Sequence, residues 1–276
     1  MLRSPYAGPV RALILDWAGT AADHGSRAPM GAFVRAFAAF GVPIGIADAR
    51  GPMGIAKRDH IAAVLRQPRA AAAWLAAQGT PPDEAAIDRV LQVFEPLNVA
   101  VIPEHADLIP GVAEAVAGLR ERGIRVAATT GYTRPILEVL EPIAARQGYA
   151  PEFTICAGET AEGRPAPLMM WAAMARLGVW PAAAVVKIDD TPVGMEEGRN
   201  AGAWCVGVAL SGNIAGLSVA ELAALAEPER DAIRKRATAE LIAGGAHLVI
   251  DSAADLLRAI GWIEARLGDG TDPASM

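Results

Sequence analysis

Six short apolar runs, at 12–16, 124–129, 153–156, 184–188, 203–209 and 247–250, alternate with helical patterns over much of the chain. That rhythm constrains the fold more than any other feature. The runs are nearly continuous in apolar residues, so each predicts a strand buried on both faces. Strands of that kind joined by helices form a parallel sheet covered on either side. The joining helices are predicted at 112–121, 135–146, 167–177 and 195–201. In such sheets ligands bind beyond the carboxyl ends of the strands.

The rhythm breaks once. From 21 to 102 no strand pattern occurs, and helices are predicted near 29–40, 52–65, 69–77 and 83–101, with Pro81–Pro82 as a break. An all-helical block after the first strand implies a cap inserted at 21–102 into a core formed by 1–20 and 103–276. The length of 276 residues suits a core domain with a smaller insert, and 53% hydrophobic residues supply a sizeable interior. The alanine tracts are compositional bias, consistent with alanine's helix propensity.

Several classes are excluded. Net charge is −6 with no basic block, so nucleic acid is not an expected partner. No apolar run has the length of a membrane span, and MLRSPYAGPVRALILDW lacks the long apolar region and cleavage site of a signal peptide. Two cysteines, Cys156 and Cys205, make no disulfide framework and are expected to be buried small hydrophobes. A reducing cytoplasm is the expected location. Trp17, Trp74, Trp171, Trp180 and Trp204 are expected to be packing groups, and 4–9 and 268–276 loose ends.

Polar residues recur at the ends of the runs. Asp16 closes the first, Thr129 and Thr130 the second, and Asp189 and Asp190 the fourth, so a parallel sheet brings them to one rim. A carboxylate pair there can hold magnesium with water and phosphate oxygens. A threonine hydroxyl and the next backbone N–H can hold a phosphoryl oxygen, Gly131 lets the backbone approach closely, and Arg164, in GRPAP, suits an anionic group. Singly, each acid or threonine could equally cap the following helix. Asp189 is expected to be structural or to support the site from behind. The ordered set Asp16, Thr130, Arg164 and Asp190 resembles the haloacid dehalogenase superfamily. That resemblance implies an α/β fold with a Rossmann-like parallel sheet, Asp16 as nucleophile, Thr130 as phosphate-binding hydroxyl, Arg164 as the basic residue and Asp190 as the metal carboxylate.

Phosphatases of that superfamily carry a second aspartate two residues after the nucleophile, which protonates a departing alkoxide. Here the position is Ala18. The site is dead, or the leaving group needs no proton from that side, or another group stabilises it. In GPMGIAKRDH, the spacings of Met53, Lys57 and His60 put all three on one face of a helix starting after Pro52. A lysine in a partly dry pocket can lose its proton and form a Schiff base, an electron sink for a departing carbon. The same stretch also reads as an exposed charged turn, since Arg58 and Asp59 follow Lys57, with Met53 as a core residue and His60 as a structural histidine.

DWAGT, RGPMGIAKRDH, TTGYTR, GRPAP and EGRNAGAW, spread from 12 to 209, together resemble the phosphonoacetaldehyde hydrolase family. The resemblance implies hydrolysis of phosphonoacetaldehyde, a small-molecule phosphonate, to acetaldehyde and phosphate with magnesium. It implies Lys57 as the Schiff-base lysine with Met53 and His60 beside it. Thr130, Gly131 and Tyr132 would form the phosphate-side loop, Arg164 would bind the phosphonate, and Asp16, the Ala18 carbonyl and Asp190 would hold the metal. A homodimer through the cap is also implied. Two departures stand out: Ser26 and Arg27 replace an expected small thiol and apolar residue, and Gly194 stands where another acid is common. The rival functions are a magnesium-dependent phosphatase or phosphomutase on small esters, and a non-catalytic phosphate-binding scaffold.

Overall fold

The computed structural model describes residues 6–276, so part of the expected loose segment 4–9 lies outside the described residues. Strand β1 (Ala12–Leu15) is followed by five helices, α1 (Ala28–Ala38), α2 (Ile46–Arg50), α3 (Lys57–Leu65), α4 (Pro68–Gln78) and α5 (Glu84–Val101). Helix and strand then alternate: α6 (Val112–Glu121), β2 (Arg125–Thr130), α7 (Arg134–Arg146), β3 (Thr154–Cys156), α8 (Leu168–Leu177), β4 (Val185–Asp189), α9 (Pro192–Ala201) and β5 (Trp204–Val208). Helices α10 (Val219–Ala224) and α11 (Glu227–Ala243), strand β6 (Leu248–Ile250) and helix α12 (Leu256–Gly268) complete the order. Each predicted strand is present with its ends within one residue of the expectation. Helices α2, α10, α11 and α12 were not foreseen.

The strands form one parallel sheet in the order β3-β2-β1-β4-β5-β6. Its two-residue period is visible in β1: Leu13 and Leu15 pack into the core under α6, α7 and α12, while Ala12 and Ile14 pack under α8 on the other face. The chain leaves β1 toward β2 and β3 and later returns to β4 on β1's other side, so the sheet reverses its winding beside β1. Leu15 pairs with Ala128 on one side and Ile188 on the other, which brings Asp16, Thr129, Thr130, Asp189 and Asp190 to one rim.

The helices between β1 and β2 build a second core of their own, with Phe33, Phe37, Ile61, Trp74, Val90 and Phe94 among its buried residues. Its members all fall between Met30 and Phe94.

Three expectations are corrected. The predicted helix 52–65 begins only at Lys57, so Met53 lies in a preceding turn and shares no helical face with Lys57 and His60. Gly54 is the cause: its φ of +100° breaks a helix, and a Cβ there would stand 2.6 Å from the Thr191 hydroxyl, so the segment lies flat against the sheet's rim instead. Trp171 and Trp180 are 49% and 65% exposed, unlike Trp17, Trp74 and Trp204. Trp171 lies across α8 and donates through Nε1 to the Ala201 carbonyl at 3.3 Å, which holds it at the surface. The C-terminal segment is not loose: Pro273 is buried and its carbonyl accepts from Arg199 Nη1 at 2.9 Å.

Candidate active site

The rim of the sheet and the segment from Met53 to Lys57 enclose a cavity of about 20 Å³. Asp16, Ala18, Met53, Lys57, Thr130, Gly131, Tyr132, Arg164 and Asp190 line it, together with Ser26, Gly54 and Thr191. Of the predicted site residues only His60 is left out. The fit between the two sides is close: a Cβ on Gly131 would meet the carbonyls of Ile55 at 2.8 Å and Gly54 at 3.0 Å.

Asp16 follows β1 and its Oδ1 accepts from Arg164 Nη2 at 2.8 Å. That leaves Oδ2 without a protein hydrogen bond among the described residues. Burial, then the Asp189 carboxylate, push Asp16 up to about 6, while Arg164 and Lys187 pull the other way. Arg164 itself donates from Nε to Glu197 at 2.9 Å, from Nη1 to the Gly54 carbonyl at 3.3 Å and from Nη2 to the Thr129 carbonyl at 2.6 Å, and Nη1 pairs with Asp189 at 3.2 Å. Its N–H groups are thus committed to protein acceptors. Arg164 lines the cavity, orients Asp16 and lends the site positive charge.

Behind Arg164 stands a pair that the sequence reading missed. Lys187, fully buried in β4, contacts Asp189 and Glu197 at 3.0 Å each and donates to Thr129 Oγ1 at 2.7 Å. A lysine inside the run VVKID was the available signal, because a buried cation must be paired. Asp189 is the link. Its carboxylate sits 2.1–2.3 Å from where a Cβ on residue 194 would be, so only glycine admits it there. Gly194 and the Asp189 carboxylate are therefore one feature: the acid absent from 194 is replaced by one reaching the same space from β4.

The carboxylates of Asp16, Asp189 and Asp190 come within 4.8 Å of one another. Burial, then Asp189 and Asp16, raise the Asp190 carboxyl well above its usual range. Asp16, Asp189, Asp190 and Glu197 are four buried acids, and Arg164, Lys187 and Lys57 are the buried cations near them. Acids crowded together in this way repel one another, and a divalent cation relieves that repulsion. Asp189 is taken by its own partners, so Asp16 and Asp190 are the acids free to hold one, and the set fits a hard cation.

On the other side Lys57 is the first residue of α3 and 3% exposed, which excludes the exposed-turn reading. Its amine stands 5.2 Å from the Tyr132 ring centroid and 6.0 Å from that of Phe33. No ion pair holds it among the described residues. Burial pulls it down to about 8, against the opposing charge of Asp16, and the positive end of its own helix acts in the same sense as burial. Ala18 presents only a methyl group at the lip. Thr130 Oγ1 accepts from the Tyr132 N–H at 3.1 Å, leaving the hydroxyl proton free to donate. The buried Tyr132 and Ser26 hydroxyls have no partner among the described residues.

His60 lies one turn along α3, beneath the cavity wall. Nε2–H donates to the Ala49 carbonyl at 2.6 Å, the ring stacks on Phe33 at 4.1 Å, and Nδ1 is buried without a partner. Burial and the neighbouring Lys57 pull it down to about 3, so it is a neutral imidazole. Cys156 and Cys205 are buried, with thiols pushed up to about 12 chiefly by burial, which removes them from thiolate chemistry.

A buried acid, a threonine and a basic residue at the rim of a parallel sheet, with a second acid beside them, define a class. Residues 10–202 match the haloacid dehalogenase-like hydrolases. Phosphonoacetaldehyde hydrolases from Paraburkholderia xenovorans (strain LB400) and Nitratidesulfovibrio vulgaris (strain DSM 19637 / Miyazaki F) are similar to this chain. The first is 52% identical over 96% of this chain and 99% of its own. The second is 47% identical over 97% and 96%. A crystal structure of a phosphonoacetaldehyde hydrolase like protein from Oleispira antarctica superposes with a TM-score of 0.96 at 40% identity, covering 99% of this chain and 100% of that one. The chain belongs to the phosphonoacetaldehyde hydrolase branch of the haloacid dehalogenase-like hydrolases.

Proposed function

We propose that this chain cleaves the carbon–phosphorus bond of phosphonoacetaldehyde, giving acetaldehyde and phosphate. The observation that carries the reading is Lys57: an amine without a counter-ion, buried in the same cavity as Asp16, where Ala18 supplies no acid. Near pH 8 a useful fraction of that amine is neutral and nucleophilic. It adds to the aldehyde carbon, water leaves, and a protonated imine forms. Asp16 Oδ2, its partner oxygen held by Arg164, attacks phosphorus in line. The electron pair of the breaking C–P bond passes into the imine, leaving an enamine on Lys57 and a phosphoryl group on Asp16. The enamine takes a proton at carbon and its imine is hydrolysed to acetaldehyde; water then frees phosphate from Asp16. One water is consumed overall. Because the leaving group is carbon and its electrons are received by nitrogen, no acid is needed at position 18.

Thr130, with the Gly131 and Tyr132 backbone, would receive the phosphonyl oxygens. Met53 and Tyr132 keep the amine dry, and Phe33 does so from below. His60 would take up or return protons through Nδ1 by way of water. Magnesium would be held by Asp16, the Ala18 carbonyl and Asp190, and once bound it offsets repulsion between Asp16 and the anionic substrate. Residues 21–102 would act as a cap that opens from a core of 1–20 and 103–276 and shuts over the bound aldehyde. The separate apolar core of this block supports that division. The family resemblance adds a cytoplasmic location and a homodimer formed through the cap, whose Ile46 and Leu75 are exposed. Gel filtration with light scattering checks the dimer.

The test is an assay with phosphonoacetaldehyde and magnesium that follows both products. Equimolar acetaldehyde and phosphate are expected. Phosphate release from simple esters that survives Lys57→Met would replace this reading with that of a phosphatase.

A further inference from the structure

Arg50, the last residue of α2, reaches out of the cap to the sheet's rim. Its Nη1 donates to the Gly25 carbonyl, the Asn213 backbone carbonyl and Asn213 Oδ1, each at 2.9 Å. Asn213 returns a contact from Nδ2 to the Arg50 carbonyl at 3.4 Å. The same residue's backbone N–H donates to Asp190 Oδ2 at 2.6 Å. One residue on the loop after β5 thus holds the cap with its side chain and the candidate metal acid with its backbone.

The loop is shaped for both contacts. A Cβ on Gly216, whose φ is +67°, would stand 2.9 Å from the Arg50 guanidinium carbon. A Cβ on Gly212 would stand 2.5 Å from the Asp190 Cβ. Ser211 ties the loop down, donating from Oγ to the Gly19 carbonyl at 2.9 Å and accepting the Gly25 N–H at 2.7 Å. Gly19 lies two residues beyond Trp17 on the turn that follows Asp16, and Gly25 lies on the connection into the cap.

We propose that Arg50 and Asn213 are positioning residues forming a latch, in which cap closure and the orientation of Asp190 are a single coupled event. The opening and closing of the cap rest on the function proposed above. When the cap is shut, Arg50 fixes the Asn213 side chain, and with it the backbone N–H that aims Asp190. When the cap lifts, the guanidinium withdraws, the loop loses its clamp, and Asp190 loses its fixed donor. A carboxylate held less firmly once the cap lifts makes the cation site weaker in the open state than in the closed one.

Lysine acylation tests this without turnover. The chain has three lysines, Lys57 under the cap, Lys187 in the core and Lys235 on the surface. The intact protein is treated with N-hydroxysuccinimidyl acetate without substrate, and modification is read by peptide mass spectrometry. In the unaltered protein Lys57 should react far more slowly than Lys235, and Lys187 not at all. Arg50→Met should raise the Lys57 rate about tenfold, a typical inter-site coupling, with Lys187 still silent. Asn213→Ala should do the same, and the double variant should be no faster than either single one, because the two side chains act as one contact. The magnesium concentration giving half of the thermal shift should rise about tenfold in Arg50→Met.

A Lys57 rate within twofold of the unaltered protein in both single variants would overturn the latch. An unchanged magnesium requirement beside a raised Lys57 rate would overturn its link to Asp190. If Lys187 also reacts in Arg50→Met, that variant has unfolded and Asn213→Ala decides. The acylation pattern stands or falls independently of whether acetaldehyde is released, so failure of the latch and failure of the proposed reaction are separable.

Discussion

On the sheet side of the cavity, buried charges answer one another: Arg164 pairs with Asp16, Asp189 and Glu197, and Lys187 pairs with Asp189 and Glu197. On the cap side, Lys57 is as deeply buried but has aromatic faces where the others have carboxylates. Lys187, paired, braces Asp189, Glu197 and Thr129. Lys57, unpaired, is drawn down toward the pH at which it loses its proton. The same residue type serves as a strut in one place and a nucleophile in the other, and pairing makes the difference.

The comparison breaks most sharply at the two covalent positions. Asp16→Asn keeps the shape and a neutral acceptor for Arg164, yet removes the nucleophilic oxygen; product release should fall by about 10⁴-fold or more, measured as phosphate and acetaldehyde together. Lys57→Met should lower it by roughly 10³-fold or more, and borohydride with substrate should no longer label the α3 peptide. Labelling of Lys57→Arg to the extent of the unaltered protein would end the Schiff-base reading. Lys57→Met should also stabilise the fold at pH 7. A shift from 10.5 to about 8 corresponds to roughly 3 kcal/mol of unfavourable burial of the ammonium. The penalty is fully present below pH 8 and disappears above the unfolded pKa of 10.5, so thermal melts of the two proteins should converge in alkali.

On the paired side smaller effects are expected. Asp190→Ala should raise the magnesium needed for half activity by about 10–100-fold, the loss of one charged ligand; an unchanged requirement would move the metal elsewhere. Glu197→Gln leaves Lys187 and Arg164 sharing Asp189 and Asp16, and should cost about 1–3 kcal/mol in denaturant unfolding. Because Arg164 Nε loses a charged acceptor, kcat should fall several-fold with KM little changed, a split that simple destabilisation would not give.

What the sequence made legible follows the same division. Strand ends and the rim acids were readable because apolar runs and their closing polar residues are local features, and a parallel sheet aligns them automatically. Lys57 was found by motif, but its burial was not readable, since RGPMGIAKRDH is as polar as any surface turn. Met53 was placed on a helix because periodicity cannot show that Gly54 takes a left-handed conformation against Thr191. Glu197 lies 33 residues from Arg164, and Asn213 lies 163 from Arg50. Such contacts depend on tertiary packing and leave no periodic trace. Gly194 read as a missing acid until the Asp189 carboxylate was seen to fill its space.

The pH dependence of imine formation is the finest probe of the comparison. Burial lowers Lys57 to about 8, and below that pH the amine is mostly protonated and cannot attack the aldehyde. The initial rate of borohydride-trapped imine should therefore rise about tenfold for each pH unit below 8 and level off above it. His60, drawn down to about 3, carries no charge across this range and adds no inflection. Asp59, next on α3, is exposed, so Asp59→Asn should leave the midpoint in place. Placing a carboxylate beside the amine should do the opposite: Tyr132→Glu, at the ring that faces Lys57, would convert the unpaired lysine into a paired one. The trapping midpoint should then move up by about one pH unit or more. A midpoint that stays near 8 in that variant would mean that a carboxylate beside the amine does not govern its protonation.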